Sequence, residues 1–197
     1  MEQKQTILAM YSGGLDSLGT VYKLLTEDEY KDYNIHIHHV HNKNVEERDK
    51  AEAIAVKLAL GELKKLGFSF QYSDSLIGTQ PYGDTFMFDS DSINFFAGYV
   101  CMANPDIKKV AIGMQSTDSS HTIEARIIRA NNILRAFTSA EKIYPVLDMT
   151  KREIYDMLPT PLRDMFWSCR HPIYNEKSIA PCGKCNTCVK LKTQGIR

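Results

Sequence analysis

The residues best equipped for chemistry stand near the two ends of the chain. Close to the start, Tyr11-Ser12-Gly13-Gly14-Leu15-Asp16-Ser17 gathers two glycines, two serine hydroxyls and one carboxylate. Glycine lets the main chain approach a phosphate with no Cβ in the way, and Ser12 and Ser17 add hydroxyl donors. Asp16 is out of place in a phosphate cradle unless it faces a metal ion or caps a turn. No Gly-Lys-Ser/Thr follows at Walker A spacing, so this is not that loop. Close to the end, Cys169 precedes Cys182-Gly183-Lys184-Cys185-Asn186-Thr187-Cys188. Four thiolates make a full tetrahedral set, and the paired two-residue spacings suit a Zn²⁺ knuckle. With no open coordination position such a metal is structural. Thiolates also hold iron–sulfur clusters, which is the competing assignment. His171 is a substitute ligand only if a thiolate is missing.

These residues need elements to hold them. Thr6 to Tyr11 is a short apolar run, long enough for one buried strand. Leu18, Val21, Tyr22 and Leu25 recur at helical spacing just after the glycines. Strand, glycine turn and helix N-terminus together aim unpaired N–H groups at an anion. A second strand is expected over Asn34–Val40. Its alternation puts His36 and His38 on one face and His39 and His41 on the other, as polar decoration of a strand rather than a metal site. Glu46–Leu66 reads as a long helix with an apolar stripe of Ala51, Ile54, Ala55, Leu58, Leu63 and Leu66, C-capped by Gly67. Phe68–Tyr72 reads as a third strand and Ser73–Asp91 as a surface loop. Ser92–Ala103 follows as a buried helix, with Ile93, Phe95, Phe96, Tyr99, Val100 and Met102 inward and Cys101 a packed thiol. Lys108–Met114 is a fourth strand ending at Gly113, before the polar run Gln115–His121. Arg126 and Arg129 lie on the next helix, where either can reach a phosphate or carboxylate. Ile143–Asp148 is a fifth short strand, and Thr150-Lys151-Arg152-Glu153 is a capping box that sets Lys151 at a helix N-terminus. Alternating strands and helices predict an α/β, Rossmann-like, doubly wound parallel sheet with helices on both faces and a small C-terminal zinc-binding segment. Ligands in such a sheet sit beyond the carboxyl ends of the strands, where the glycine turn lies.

At 197 residues the chain suits one domain with an appendage, divided here as 1–160 and 161–197. Its 24 basic residues balance its 24 acidic ones, so no global field argues for nucleic acid or a membrane surface. No apolar run is long enough to span a bilayer and the first residues carry no signal-peptide pattern, so a cytoplasmic location is expected. There the cysteines serve as thiolates or metal ligands rather than disulfides.

Two of these motifs, taken together, resemble the 7-cyano-7-deazaguanine synthase (preQ0 synthase) family of the N-type ATP pyrophosphatase, or PP-loop, superfamily. Ser12-Gly13-Gly14-Leu15-Asp16-Ser17 is similar to its ATP loop, and Ile112-Gly113-Met114 with Asp118 to its Ile-Gly-x-x-x-x-Asp region. Tyr144 to Leu147 and Thr150 to Ile154 resemble its Pro-Leu…Thr-Lys-x-Glu-Ile segment, Trp167-Ser168-Cys169 its Trp-Ser-Cys, and Cys182 to Cys188 its Cys-Gly-x-Cys-x-x-Cys. The resemblance implies ATP bound by Ser12, Gly13, Gly14, Leu15, Asp16 and Ser17, with Val40, Gly113 and Arg126 contributing. It implies Asp16, Ser17, Asp118 and Lys151 in catalysis, Mg²⁺ on Asp16 or Asp118, and Zn²⁺ on Cys169, Cys182, Cys185 and Cys188. The implied substrates are 7-carboxy-7-deazaguanine and ammonia, with no nucleic acid or membrane partner; a homodimer is compatible, the family being commonly dimeric.

The departures fall on the acceptor side. His39-Val40-His41-Asn42-Lys43-Asn44 stands where members usually carry a Tyr-Gly-Gln-Arg-His-like run. Asp89-Ser90-Asp91-Ser92-Ile93-Asn94 lacks the arginine of a Pro-x-Arg-Asn stretch. His121-Thr122-Ile123-Glu124-Ala125-Arg126 matches Tyr-Pro-Asp-Cys-Arg only at its end. The resemblance therefore speaks more clearly for ATP and zinc than for the acceptor. The rivals are another adenylating enzyme, such as an amide-forming ligase or a tRNA-thiolating enzyme, a phosphoadenylyl-sulfate reductase, and a non-catalytic nucleotide-binding descendant.

Overall fold

A computed structural model describes residues 4–78, 89–115 and 123–196, excepting the side chains of Ile123 and Arg126. Its main sheet contains β1 (Thr6–Met10), β2 (Asn34–Lys43), β3 (Gln71–Gly78), β4 (Ile107–Ile112) and β5 (Glu141–Ile143). The strand order is β3-β2-β1-β4-β5 and every neighbouring pair is parallel. Parallel pairing requires crossovers, and helices supply them: α1 (Leu15–Thr26), α2 (Asp49–Lys65), α3 (Asp89–Ala103) and α4 (Ile123–Arg135). β1 is central and buried on both faces, which is why its sequence is continuously apolar rather than alternating. Strand order reverses between β1 and β4, so the crevice beyond their carboxyl ends is the topological switch point. The glycine loop and Gly113 both lie there.

The sheet is covered on both faces. Ile7, Ala9 and Tyr11 pack on one side with Leu18 of α1, Val56 and Ala59 of α2, and Ile154 of α5 (Lys151–Met157). Leu8, Met10 and Val40 pack on the other with Ala97 and Cys101 of α3 and Leu134 of α4. The chain then forms a short antiparallel pair, β6 (Ile173–Tyr174) with β7 (Ile179–Ala180), and α6 (Asn186–Thr193). Leu162, Phe166, Leu191 and Ile196 join the core on the α1 side, so the last stretch of chain is packed against the sheet domain. Among the described residues no helix is long and apolar enough to cross a membrane.

Several elements depart from the sequence reading. The third strand begins at Gln71 and runs through Gly78, into the stretch read as loop. Its polar Ser73 belongs there because both His36 Nε2 and His38 Nδ1 lie 2.7 Å from the Ser73 hydroxyl. The long helix buries Ala51, Glu52, Ala55, Val56, Ala59, Leu60 and Leu63, while Ile54 and Leu58 are 50% and 54% exposed. The inner stripe is rotated from the expected one because Glu52, not an apolar residue, turns inward at its N-terminal end. On α3 it is small residues such as Ala97 and Gly98 that face inward, leaving Tyr99 and Met102 more than half exposed. The fifth strand is only Glu141–Ile143, with a turn beyond it. The predicted histidine alternation, the buried Cys101 and the Thr150–Glu153 capping box are all present.

Candidate functional site

The glycine loop connects β1 directly to α1. The helix N-cap is Gly14, which brings no side chain to the first turn, so nothing from the cap competes with an anion for those amides. The two serines instead organise the loop: Ser12 Oγ lies 3.0 Å from Ser17 Oγ and accepts from the Gly14 N–H at 3.3 Å. Ser17 donates to the Gly14 carbonyl at 3.0 Å. Gly13 has φ +84°, and an added Cβ would meet the Glu52 carbonyl oxygen at 3.0 Å, so both conformation and space require glycine there. Its own carbonyl accepts from the Trp167 N–H at 2.7 Å.

Asp16 and Lys151 are brought together from opposite ends of the fold. Lys151 opens α5, and its Nζ lies 2.6 Å from Asp16 Oδ2 with both side chains largely covered. A carboxylate and an ammonium thus stand side by side at the helix start. Together they offer a cation ligand and a phosphate ligand, each neutralised by the other in this state. Gly113 closes the other flank. A Cβ there would lie 2.6 Å from both Ser17 N and Ser17 Cα, so only glycine lets the end of β4 touch the loop.

Two hollows flank the loop. The smaller, about 140 Å³, is lined by Met10, Tyr11, Ser12, His38, Val40 and Arg48 among others. It brings Val40 beside Ser12. The larger, about 360 Å³, lies past Gly113 and is lined by Ser90, Asn94, Ile112, Ile127, Lys142 and Tyr144 among others.

The smaller hollow carries an ionic cluster that sequence reading missed. Arg48 bonds Glu46 at 2.8 Å, Glu52 at 2.9 Å and also Asp89; Arg170 bonds Glu46 at 2.6 Å and lies 3.9 Å from Asp89. Burial alone would lower the Arg48 pKa, but the carboxylates of Glu52, Asp89 and Glu46 outweigh it and raise it. Burial pushes Glu52 up to about 7 against the pull of Arg48, with Asp89 and Glu46 adding to the rise. Next to this cluster, burial holds His38 and His39 down to about 4, so both rings are neutral at pH 7. The Arg48–Glu52 spacing of four was a legible signal; the convergence of Asp89 and Arg170 on it was not.

The cysteines converge as expected. One ligand atom from each of Cys169, Cys182, Cys185 and Cys188 falls within 4.8 Å of the others. A tetrahedral ion with thiolates at about 2.3 Å sets its ligands about 3.8 Å apart, so the set fits one ion. A cubane iron–sulfur core sits between its thiolates and spreads them farther. The Cys182 N–H donates to Cys169 Sγ at 3.2 Å and the Cys185 N–H to Cys182 Sγ at 3.3 Å, the backbone support a knuckle of thiolates needs. Trp167 and Arg170 flank Cys169 in sequence and reach the glycine loop and the ionic cluster respectively, so the cysteine segment is tied to the cleft.

Ser12, Gly13, Gly14, Leu15, Asp16, Ser17, Gly113 and Lys151 therefore form one neighbourhood, with Val40 at its edge. Asp118 and the side chain of Arg126 lie outside the described residues. Arg129 turns to Asp91, bonding it at 2.9 Å.

No family model matches the chain, and no curated protein matches it. Among solved structures it is similar to the U34-tRNA thiolase NcsA from Methanococcus maripaludis with its [4Fe-4S] cluster, at 17% identity and TM-score 0.51, covering 99% of this chain and 66% of that one. It is also similar to Candida glabrata FMN adenylyltransferase in complex with FAD and inorganic pyrophosphate, at 14% identity and TM-score 0.40, covering 76% of this chain and 46% of that one. The chain thus spans less than two thirds of the length of either. The likeness to the thiolase shows a shared α/β fold.

Proposed function

We propose that this protein binds ATP at the Ser12–Ser17 loop and adenylates a small carboxylate, 7-carboxy-7-deazaguanine, which ammonia then carries to 7-cyano-7-deazaguanine. The observation that carries the reading is the uncapped start of α1, with the Asp16–Lys151 pair beside it and a hollow on each flank. The acceptor carboxylate attacks the α-phosphorus, the bond to the β-phosphate oxygen breaks, and pyrophosphate leaves. Ammonia adds to the acyl carbon, AMP leaves, and a proton is released with the amide. A second ATP adenylates the amide oxygen and its pyrophosphate leaves; loss of AMP and two protons then gives the nitrile.

The loop amides stabilise charge that grows on the departing pyrophosphate, and Lys151 leaves Asp16 to meet it. Ser12 and Ser17 keep the loop in shape. Mg²⁺ bound at Asp16 would offset the phosphate charge. Zn²⁺ held by the four thiolates would brace the segment that fixes Gly13 through Trp167. No residue needs to act as a covalent nucleophile, so positioning supplies most of the rate.

The test is incubation with ATP, Mg²⁺, ammonia and 7-carboxy-7-deazaguanine, followed by mass detection of nitrile, amide and AMP. Amide without nitrile would overturn the product assignment and leave adenylation standing. The rival is tRNA thiolation, the activity of the thiolase neighbour. It predicts iron and acid-labile sulfide in the purified protein; one zinc per chain and none of either supports the carboxylate reading, as does the close spacing of the thiols.

A further inference from the structure

Lys142 is in an unusual place for a lysine. It sits on β5, in register with Val110 of β4, and lines the larger hollow between the sheet and α4. Among the described residues no carboxylate lies within ion-pair distance of its ammonium. Its charged neighbour is instead Arg135, and burial followed by that like charge lowers its pKa to about 8. Covering a cation without a counter-charge costs stability. Arg170 also lines this hollow, but it is engaged by Glu46.

Two polar atoms of α3 next to the hollow are occluded and lack partners among the described residues. Asn94 is 2% exposed; its amide Nδ2 donates to the Ser90 carbonyl at 2.6 Å, while its Oδ1 and the Ser90 Oγ have no hydrogen-bond partner among the described residues. Ile93, Ile112 and Ile127 make the remaining surface apolar. A hollow of about 360 Å³ has room for a small ring compound rather than for a folded polynucleotide. Gly113 joins it directly to Ser17 of the loop.

We infer that Lys142 selects the acceptor, docking the carboxylate of a small ring compound in the hollow beside Gly113. The inference rests on the adenylation reading for what becomes of that carboxylate, but not for how it is bound. A neutral acceptor would leave the ammonium uncompensated.

The test is calorimetric binding of matched acid and amide pairs, without ATP, to wild type, Lys142→Met and Lys142→Arg. The first pair is 7-carboxy-7-deazaguanine and its 7-carboxamide; a panel of bicyclic aromatic carboxylic acids with their carboxamides is run beside it. Wild type is expected to favour acid over amide by about 10- to 100-fold. Lys142→Met is expected to erase that preference while leaving amide binding and the affinity for ATP unchanged, and Lys142→Arg to restore part of it. An unchanged thermal midpoint in Lys142→Arg keeps the comparison free of folding effects. If the preference appears only with other ring acids, the Lys142 assignment stands and the deazaguanine reading falls. If no acid is preferred by wild type, if Lys142→Met retains the preference, or if the variant loses ATP instead, the assignment is overturned.

Discussion

The two hollows beside the glycine loop are built on opposite electrostatic plans. In the smaller one, charges are matched: Arg48 meets Glu46, Glu52 and Asp89, and His38 and His39 stay neutral. The larger one is bordered by Lys142, which has no carboxylate within ion-pair distance among the described residues and whose like-charged neighbour Arg135 lines the adjoining hollow instead. A hollow whose charges are already paired gains by receiving a ligand on main-chain groups and apolar surface. One left with a bare cation gains by receiving an anion. The loop between them is where a nucleotide and an acceptor of these two kinds would meet, and the sides are not interchangeable.

The sharpest way to break this picture is at the loop. Ser12→Ala removes the hydroxyl shared by Gly14 N–H and Ser17, and Asp16→Asn removes the charge facing Lys151. Each is expected to lower AMP release by about 100- to 1,000-fold or more while the protein stays folded. Retained turnover in both would disconnect the loop from the chemistry and leave the hollows without a reaction to serve.

The second effect belongs to the smaller hollow. Arg48→Met leaves the buried Glu52 and the partly covered Asp89 without their main cation, so the unfolding free energy measured in urea should drop by about 3 kcal/mol. Lys142→Met, by contrast, removes a cation with no described counter-charge and should be neutral or stabilising. Equal losses in the two variants would erase the distinction between compensated and uncompensated charge.

Gly113→Ala tests the partition itself. Its methyl would stand 2.6 Å from the Ser17 backbone, so β4 and the loop must separate. Overpacking of this kind costs about 1–3 kcal/mol. Activity should suffer more than stability, since the displaced atoms belong to the loop; the ratio of turnover loss to unfolding free energy checks it.

How much of this is legible in the sequence follows from where the information lies along the chain. The strand, glycine loop and helix that make the candidate anion site are consecutive residues, and the cysteine pairs are nearly so; local patterns sufficed to point to them. The thiolate set still required Cys169 to return from outside the knuckle, which four-ligand stoichiometry demanded. The burial pattern of α2 was misread because periodicity counts apolar residues and Glu52 is inward while Ile54 and Leu58 are not. The cluster around Arg48 was invisible because Glu46, Asp89 and Arg170 arrive from separate segments. Lys142 gave no signal at all: a lysine on a short strand reads as solvated until α4 is seen to cover it.

The smallest effect is the dependence of stability on pH, and its sign can be worked out group by group. His38 and His39 have folded pKa values near 4, below the unfolded value of about 6.5. Their contribution is present above pH 6.5 and is lost as pH falls toward 4. Glu52 runs the other way: its folded value of about 7 lies above the unfolded 4.5, so its contribution is present below pH 4.5 and is lost as pH rises through 7. Between pH 6.5 and 5.5 two histidines therefore lower stability on acidification while one glutamate raises it, each by roughly 1 kcal/mol over that unit. Urea titrations of the wild type should show a net loss over this interval. His38→Gln should make it shallower, and Glu52→Gln should steepen it. Lys142 stays protonated throughout, so Lys142→Met should leave the slope as it is. A slope unmoved by His38→Gln, or steepened by Lys142→Met, would mean that the acid-sensitive charges lie somewhere other than the smaller hollow.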